Sequence, residues 1–340
     1  MTVPIVTFFN NKGGVGKTSL VYHTAWMLSE LGRRVLVVDL DPQANLTAAF
    51  LPEAQLERLF DEGEAGLRSM FQAVKPLLKV GDIESPTTVP ITLNLGLVPG
   101  DLALARFEDA LAEYWGKCLG GQEVYRAFRG TTAFWTIAQA AAHAMNAEIV
   151  LFDVGPNLGA INRAALIATD HVVVPLAGDM FSIQGLRNLG PTLQEWREGW
   201  QRREAAYKVP EFALPVGHMM PAGYVVQQHE VRLNRPVRAY TLWMDRIPRE
   251  YRAAGLSDSP NVDRIEEDPQ CLAMFKHYRS LIPMAHEAKK PVFLLRAADG
   301  ALGAHGNAVQ AAYADFRAFT EKLLGRIGLS AGGPASGGQA

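Results

Sequence analysis

The densest chemistry in the chain lies in nine consecutive residues, Asn11-Lys12-Gly13-Gly14-Val15-Gly16-Lys17-Thr18-Ser19. Gly13, Gly14 and Gly16 allow the backbone to wrap an anion and turn successive N–H groups toward it where a helix begins. Lys17 is placed to reach the β and γ phosphates of a nucleotide, and the Thr18 hydroxyl to ligate Mg²⁺. The generic pattern G-x-x-x-x-G-K-[ST] is not met, because Asn11 stands at its first glycine. What remains is K-G-G-x-G-K-T, which adds a second lysine, Lys12, at the head of the loop. Asp39 and Asp41 close another apolar run, and Asp153 closes a third. The plainer readings are a glycine-rich turn with surface lysines, a cap at Asp153 and a turn initiator at Asp41-Pro42.

The elements that must position these groups are legible around them. Ile5 to Phe9 is a continuous β-rich run of the kind found in strands buried on both faces. From Thr18 to Leu31, Leu20, Val21, Ala25 and Leu28 recur at helical spacing, and Gly32 supplies a stop. Val35-Leu36-Val37-Val38 is the next strand, so the helix between implies a parallel crossover. Similar runs at 149–152, 172–174, 224–226 and 292–295 predict an α/β protein with a doubly wound, mostly parallel sheet flanked by helices. Residues 52–92 and 190–222, the latter with a charged helix over Gln194 to Tyr207, look like insertions, and 330–340 like a disordered tail. That leaves 1–329 as one domain.

Composition narrows the classes. The 340 residues hold 33 Lys+Arg against 35 Asp+Glu, a net charge of -2, so nucleic-acid binding would need a local patch rather than a global basic field. Two cysteines, Cys118 and Cys271, exclude a disulfide scaffold and fit a reducing compartment. The N-terminus lacks a basic n-region and no stretch approaches about 18 uninterrupted apolar residues, which points to a cytoplasmic protein.

The loop resembles that of the ParA/MinD family of deviant Walker A ATPases, and the likeness extends along the chain. VLVVDLDPQANLT (35–47) is similar to the family's DxDPQGN motif, with Ala44 at the customary glycine. IVLFDVGPNL (149–158) resembles the Walker B segment, with Val154-Gly155-Pro156 where Cys/Ala/Thr-Pro-Pro is typical. Residues 164–189 resemble the family's next helix, strand and loop, and Ile282-Pro283, Glu287-Ala288 and Lys290-Pro291-Val292 resemble the segment near the adenine. The resemblance implies a P-loop NTPase fold that binds ATP and Mg²⁺ through Asn11 to Ser19, with Thr18, Asp39 and Asp153 about the metal. Asp153, at the edge of a strand beside the loop, would hold the ion through a water. The resemblance implies that only one of the two aspartates faces the γ phosphate: Asp41, which positions the attacking water, while Asp39 supports the metal shell or the loop. Lys12 would cross an ATP-sandwich homodimer to contact the partner's nucleotide, like a finger supplied in trans. Pro283 and Gln227 or Gln228 would lie near the base. Turnover would be slow and stimulated by a ParB-like activator or other cargo adaptor, and the cargo would be a plasmid or chromosomal locus carried on nonspecific DNA, with a nucleoid-associated location in the cytoplasm.

Other branches of the family are separable by position. Iron-sulfur members place a cysteine pair after Walker B, whereas Cys118 precedes Asp153 and Cys271 lies far beyond it. Membrane-binding members carry an amphipathic C-terminal helix, and Phe316, Phe319, Leu323, Leu324 and Ile327 form such a stripe. The commoner reading is a last helix packed on the sheet, so a membrane is not the expected partner. Arg232, Arg235, Arg238, Arg246, Arg249 and Arg252, against three acids and with Tyr240, Trp243 and Tyr251 interleaved, make a candidate DNA patch or a protein interface. A MinD-like membrane-surface regulator and a P-loop small-molecule enzyme with a pocket from 52–130 are the other readings.

Overall fold

The computed structural model describes residues 2–60, 67–121, 123–207, 211–227, 243–258, 262–276, 278, 281–301 and 303–330. Eight strands form one sheet: β1 (Ile5–Phe8), β2 (Val35–Asp39), β3 (Val89–Pro90), β4 (Leu95–Val98), β5 (Ile149–Asp153), β6 (His171–Ala177), β7 (Met220–Gln227) and β8 (Cys271–Phe275). Their spatial order is β3-β4-β2-β5-β1-β6-β7-β8. Every pairing is parallel except β3 with β4. β1, β2 and β5 are buried along their whole length, as strands covered on both faces must be.

The period-2 alternation divides each strand between two cores. Val6, Phe8, Val35 and Val37 pack with α1 (Lys17–Glu30), α2 (Asn45–Phe50) and the C-terminal helix, Ala304–Arg326. Ile5, Phe9, Leu36 and Val38 pack on the other side. There they meet α5 (Glu108–Lys117), α6 (Val124–Thr131), α7 (Ala133–Ala144), α8 (Ala160–Ile167) and α9 (Met180–Ala206). The doubly wound arrangement expected from the sequence is the one observed, and it sets the C-terminal ends of β2, β5 and β1 side by side in the middle of the sheet.

Several local expectations change. Val292–Leu294 is a 3-10 turn behind Pro291, not a strand. A short apolar run cannot by itself distinguish a strand from a buried turn, and here Val292 and Phe293 are buried against the C-terminal helix. The strand lies earlier, where Tyr224 of β7 pairs with Cys271 of β8. Residues 52–92 contribute α3 (Glu53–Phe60), α4 (Met70–Val74) and the edge strand β3. The charged helix begins not at 194 but at Met180, and runs through Pro191. α10 (Ile247–Ala253) packs on α9, and α11 (Leu281–Ala288) precedes the C-terminal helix, α12.

The stripe of α12 is part of the core: Phe316, Phe319, Leu323 and Leu324 are all buried. Among the described residues no helix is long and apolar enough to cross a membrane. Cys118 and Cys271 are both buried free thiols. Of the proposed tail only Ser330 is described; 331–340 lie outside the described residues.

Candidate functional site

The loop between β1 and α1 is built to face an anion. Gly14 and Gly16 both sit at φ 73°, a left-handed conformation that L side chains adopt only at a cost. No side chain caps the start of α1, so its first N–H groups remain open to a ligand. Asn10, fully buried, fixes the loop's entry: its Nδ2 donates to the Pro175 carbonyl at 2.7 Å, and its Oδ1 accepts from Lys12 N at 2.9 Å. Lys17 folds back across the loop, its Nζ donating to the carbonyls of Asn10 at 3.0 Å and Lys12 at 3.2 Å. Burial lowers its pKa, and the carboxylates of Asp153 and Asp41 oppose that shift.

Three carboxylates converge from β2 and β5. Asp39 and Asp153 are register partners at the ends of these strands, and neither is exposed. Asp39 is taken up by its own loop: Oδ2 accepts from Thr47 N at 2.9 Å and Thr47 Oγ1 at 2.7 Å, and Oδ1 from Asp41 N at 3.2 Å. Of the two roles expected for it, the geometry supplies loop support. Burial, helped by the Asp41 charge, still pushes it up to about 7. Asp153 is different, since neither of its oxygens has a hydrogen-bond partner. Burial and the nearby Asp39 raise its pKa well above the carboxylate range, and the Thr18 hydroxyl and Lys17 only partly offset this. Asp41 Oδ1 accepts from Gln43 N at 3.0 Å. The loop after β5 closes on both motifs: a Cβ at Gly155 would lie 3.3 Å from Asp41 Oδ1, and one at Gly13 3.9 Å from Pro156.

Among the described residues no three His, Cys, Asp or Glu side chains are grouped to hold a metal by themselves. An ion such as Mg²⁺ takes one or two carboxylates and completes its shell with water and phosphate. An orphaned, wholly buried carboxylate at Asp153 beside the Thr18 hydroxyl is a donor set that fits it.

A cavity of about 590 Å³ opens from Gly16, Thr18 and Ser19 toward Tyr22, Ile282 and His286. Gln227 also lines it, its Nε2 donating to the Gly16 carbonyl at 3.2 Å. Pro283 stands exposed on α11, and its neighbours Ile282, Ala285 and His286 line the cavity in its place. Val15 is buried under the loop, and Asn11, half-buried, leaves its Oδ1 without a partner.

Lys12 points to neither the cavity nor Asp153. Its Nζ donates to Asp179 Oδ2 at 2.5 Å, with the Phe181 ring 5.9 Å away. Asp179 and Asn10 escape a reading of local motifs, although an Asp at a helix start is an N-cap signal for the former. So does Glu108, whose carboxylate accepts from Ala160 N and Ile161 N and thereby caps α8 just after the β5 loop. Of the candidate arginine patch, Arg232, Arg235 and Arg238 lie outside the described residues, as does Gln228. Arg246 and Arg249 are exposed, Arg252 is half-buried, and Arg246 lies over the Trp243 ring at 5.0 Å.

A parallel sheet with a glycine loop passing into a helix, a lysine over that loop and aspartates at the neighbouring strand ends defines a P-loop ATPase of the kind with two loop lysines. A family model described as an AAA domain matches residues 3–204, and the chain belongs to that family, within the ParA/MinD group of P-loop ATPases. It is 30% identical over 191 residues to the cell division protein PomZ of Myxococcus xanthus, which covers 56% of this chain and 51% of that protein. It is 29% identical over 198 residues to the chromosome-partitioning ATPase Soj of Thermus thermophilus, covering 58% and 64% of the two. The chain thus spans between about half and two thirds of the length of these relatives. A crystal structure of a Corynebacterium diphtheriae protein shares the fold with a TM-score of 0.67 at 23% identity, covering 96% of this chain and 99% of its own.

Proposed function

We propose that the protein is an ATP hydrolase that forms a face-to-face homodimer around two bound nucleotides and uses that cycle to partition DNA or position another cargo. The observation that carries this reading is the pairing, on one loop, of Lys17 folded over the anion site and Lys12 directed away from it, beside the unpartnered carboxylate of Asp153. The roles by which relatives are known, cell division for PomZ and chromosome partitioning by an ATPase for Soj, point the same way. Residues 1–329 are read as a single ATPase domain.

In this reading the amides of residues 13–18 cradle the phosphates, and Lys17 leaves the Asn10 and Lys12 carbonyls to reach them. Thr18 and Asp153 would hold Mg²⁺, Asp153 through a water, and the ion would neutralise phosphate charge. Asp41 orients the attacking water and accepts hydrogen bonds from it, in a site that burial keeps poor in competing solvent. Gln227, Ile282 and His286 surround the base. Two anionic nucleotides facing each other repel unless cations lie between them, and Lys12 of each chain supplies one. A finger of that kind is worth on the order of 10³ to 10⁵ in rate. The apolar side chains at the start of α9 beside it fit a face that becomes covered: Phe181, 5.9 Å from its ammonium, is 64% exposed and Met180 53%.

Sedimentation with Mg²⁺ and a non-hydrolysable ATP analogue tests the reading. The wild type becomes a dimer only with nucleotide, while Lys12→Ala binds nucleotide and stays monomeric. Retention on nonspecific DNA in the presence of ATP, falling steeply with salt, supports the partitioning role. A stable dimer without nucleotide, or normal dimers from Lys12→Ala, would overturn it.

A further inference from the structure

We propose that Lys289 is a positioning residue that straps α11 to α2 along one wall of the nucleotide cavity and so sets how fast nucleotide leaves. The proposal rests on the reading that this cavity surrounds the base of a bound nucleotide, and adds to it a side chain that governs retention.

The strap begins with a missing donor. α2 is only six residues long, Asn45–Phe50, and Pro52 follows it. The Ala48 carbonyl would take its helical hydrogen bond from the N–H of residue 52, and a proline has none. Lys289 Nζ supplies the donor instead, 2.7 Å from that oxygen and 241 residues away in sequence. A cation at the carboxyl end of a helix also meets the negative end of its dipole.

At its other end the lysine is held at a cost. α11 stops in a Schellman turn, in which Lys290 N donates to the Ala285 carbonyl at 3.1 Å and Lys289 N to that of His286 at 3.4 Å. Residue 289 takes the left-handed conformation that such a turn requires, at φ 49°, where glycine is the usual occupant. The strain is thus borne at the position from which a long side chain reaches α2. The next residue, Lys290, binds both carboxylate oxygens of Asp299, at 2.8 and 2.9 Å, so the end of α11 is tied to two parts of the chain.

The cavity runs between the strapped elements. Asn45, Ala48 and Ala49 line it from α2, and Ala285, His286 and Lys289 from α11 and its cap. Parting α11 from α2 therefore widens it. Lys289 is exposed, so water competes for its ammonium and the strap opens and closes rather than locking. α2 also carries Thr47, whose amide and hydroxyl hold Asp39, which makes the strapped wall continuous with the carboxylate loop.

Three variants separate the strap from the fold. Lys289→Met keeps a long side chain and the left-handed strain but loses the cation, Lys289→Gly loses the side chain and relieves the strain, and Lys289→Arg keeps a donor. Release of mant-ADP with Mg²⁺, followed by stopped flow against unlabelled ADP, quickens about two- to tenfold in Lys289→Met and Lys289→Gly, the range for losing one surface hydrogen bond. Lys289→Arg returns most of the way to the wild-type rate. Thermal melts supply the contrast: Lys289→Gly melts at or above Lys289→Met yet releases nucleotide as fast, which a merely structural role would not produce. Unchanged release in Lys289→Met overturns the proposal. So does fast release in Lys289→Met but not in Lys289→Gly, which would trace the effect to the strained backbone. If the wild type retains no mant-ADP, the nucleotide reading falls instead. Hydrogen exchange of residues 45–50 in the nucleotide-free protein then still decides whether Lys289 ties α2, since exchange faster in Lys289→Met than in Lys289→Arg supports the strap and equal exchange overturns it.

Discussion

Asp39 and Asp153 face each other in register at the ends of β2 and β5, both fully buried, yet only Asp39 is supplied with hydrogen-bond donors. Two carboxylates so placed cannot both ionise cheaply without a cation between or beside them. The donors to Asp39 leave Asp153 as the group that gains most from an incoming ion.

Asp153→Asn should therefore separate stability from ligand response. An amide of the same shape removes one of the two like charges, so the nucleotide-free variant melts at or above the wild-type temperature. The rise produced by Mg²⁺ with an ATP analogue is lost, because binding to the native state stabilises it in proportion to affinity. Thermal melts with and without these ligands check it, and an undiminished rise in the variant would remove Asp153 from the metal role.

Ala44 stands where the DxDPQGN motif that this segment resembles carries glycine, and the structure shows the consequence. It sits at φ 50°, ψ 31° as the N-cap of α2, a left-handed conformation, and is 2% exposed. A non-glycine residue pays about 1 to 2 kcal/mol there, part of which glycine returns as greater freedom in the unfolded chain. Ala44→Gly should stabilise the protein by about 0.5 to 1 kcal/mol in urea unfolding. A loss of stability would mean that the buried methyl contributes more than the strain costs.

Legibility in the sequence divides along the line between local and distant causes. Lys12, Gly14, Gly16, Lys17 and Thr18 are contiguous, so their chemistry and their backbone demands appear together. Asp39 and Asp153 each end an apolar run, which fixes their place at strand ends without reference to anything distant. Asp179 reaches Lys12 across 167 residues and Glu108 reaches Ala160 across 52, and no local pattern announces such contacts. Gly96 breaks the apolar reading of β4, although a side chain there would run into Met145. Gly190-Pro191 disguises a helix that continues through it.

Gly190 is needed for a steric reason of its own. A Cβ at this position of α9 would lie 1.7 Å from the Ala254 carbonyl oxygen, which is backbone and cannot rotate away. Gly190→Ala must push α9 from α10 or bend one of them. The expected cost is about 1 to 3 kcal/mol, and the same shift disturbs the Arg187–Glu250 ion pair that links the two helices at 2.8 Å. Denaturant unfolding gives the cost, and hydrogen exchange of residues 247–253 should rise with it. Unchanged exchange there would place the relaxation elsewhere.

His23 gives the protein a pH dependence with a definite sign. Its ring is buried on α1, with Nδ1 2.7 Å from the Ser19 carbonyl and Nε2 accepting from Val292 N at 3.2 Å, a pattern that requires the neutral Nδ1–H tautomer. It stacks on Phe316 at 4.8 Å, and burial lowers its pKa to about 4 against the Ser19 carbonyl's opposing effect. The folded state therefore binds this proton less readily than the unfolded chain does. Stability from the neutral ring is complete above the unfolded value of 6.5 and is lost as pH falls through the window down to about 4. The loss attributable to His23 is about 3 kcal/mol across that window. His23→Gln lowers stability at neutral pH by disrupting the stack, but its stability falls less steeply between pH 6.5 and 4 than the wild type's. Urea unfolding at a series of pH values compares the two slopes. Parallel slopes would show that Nε2 takes up a proton and gives up its bond from Val292 N at little cost, with α1 and the turn at Val292–Leu294 separating freely.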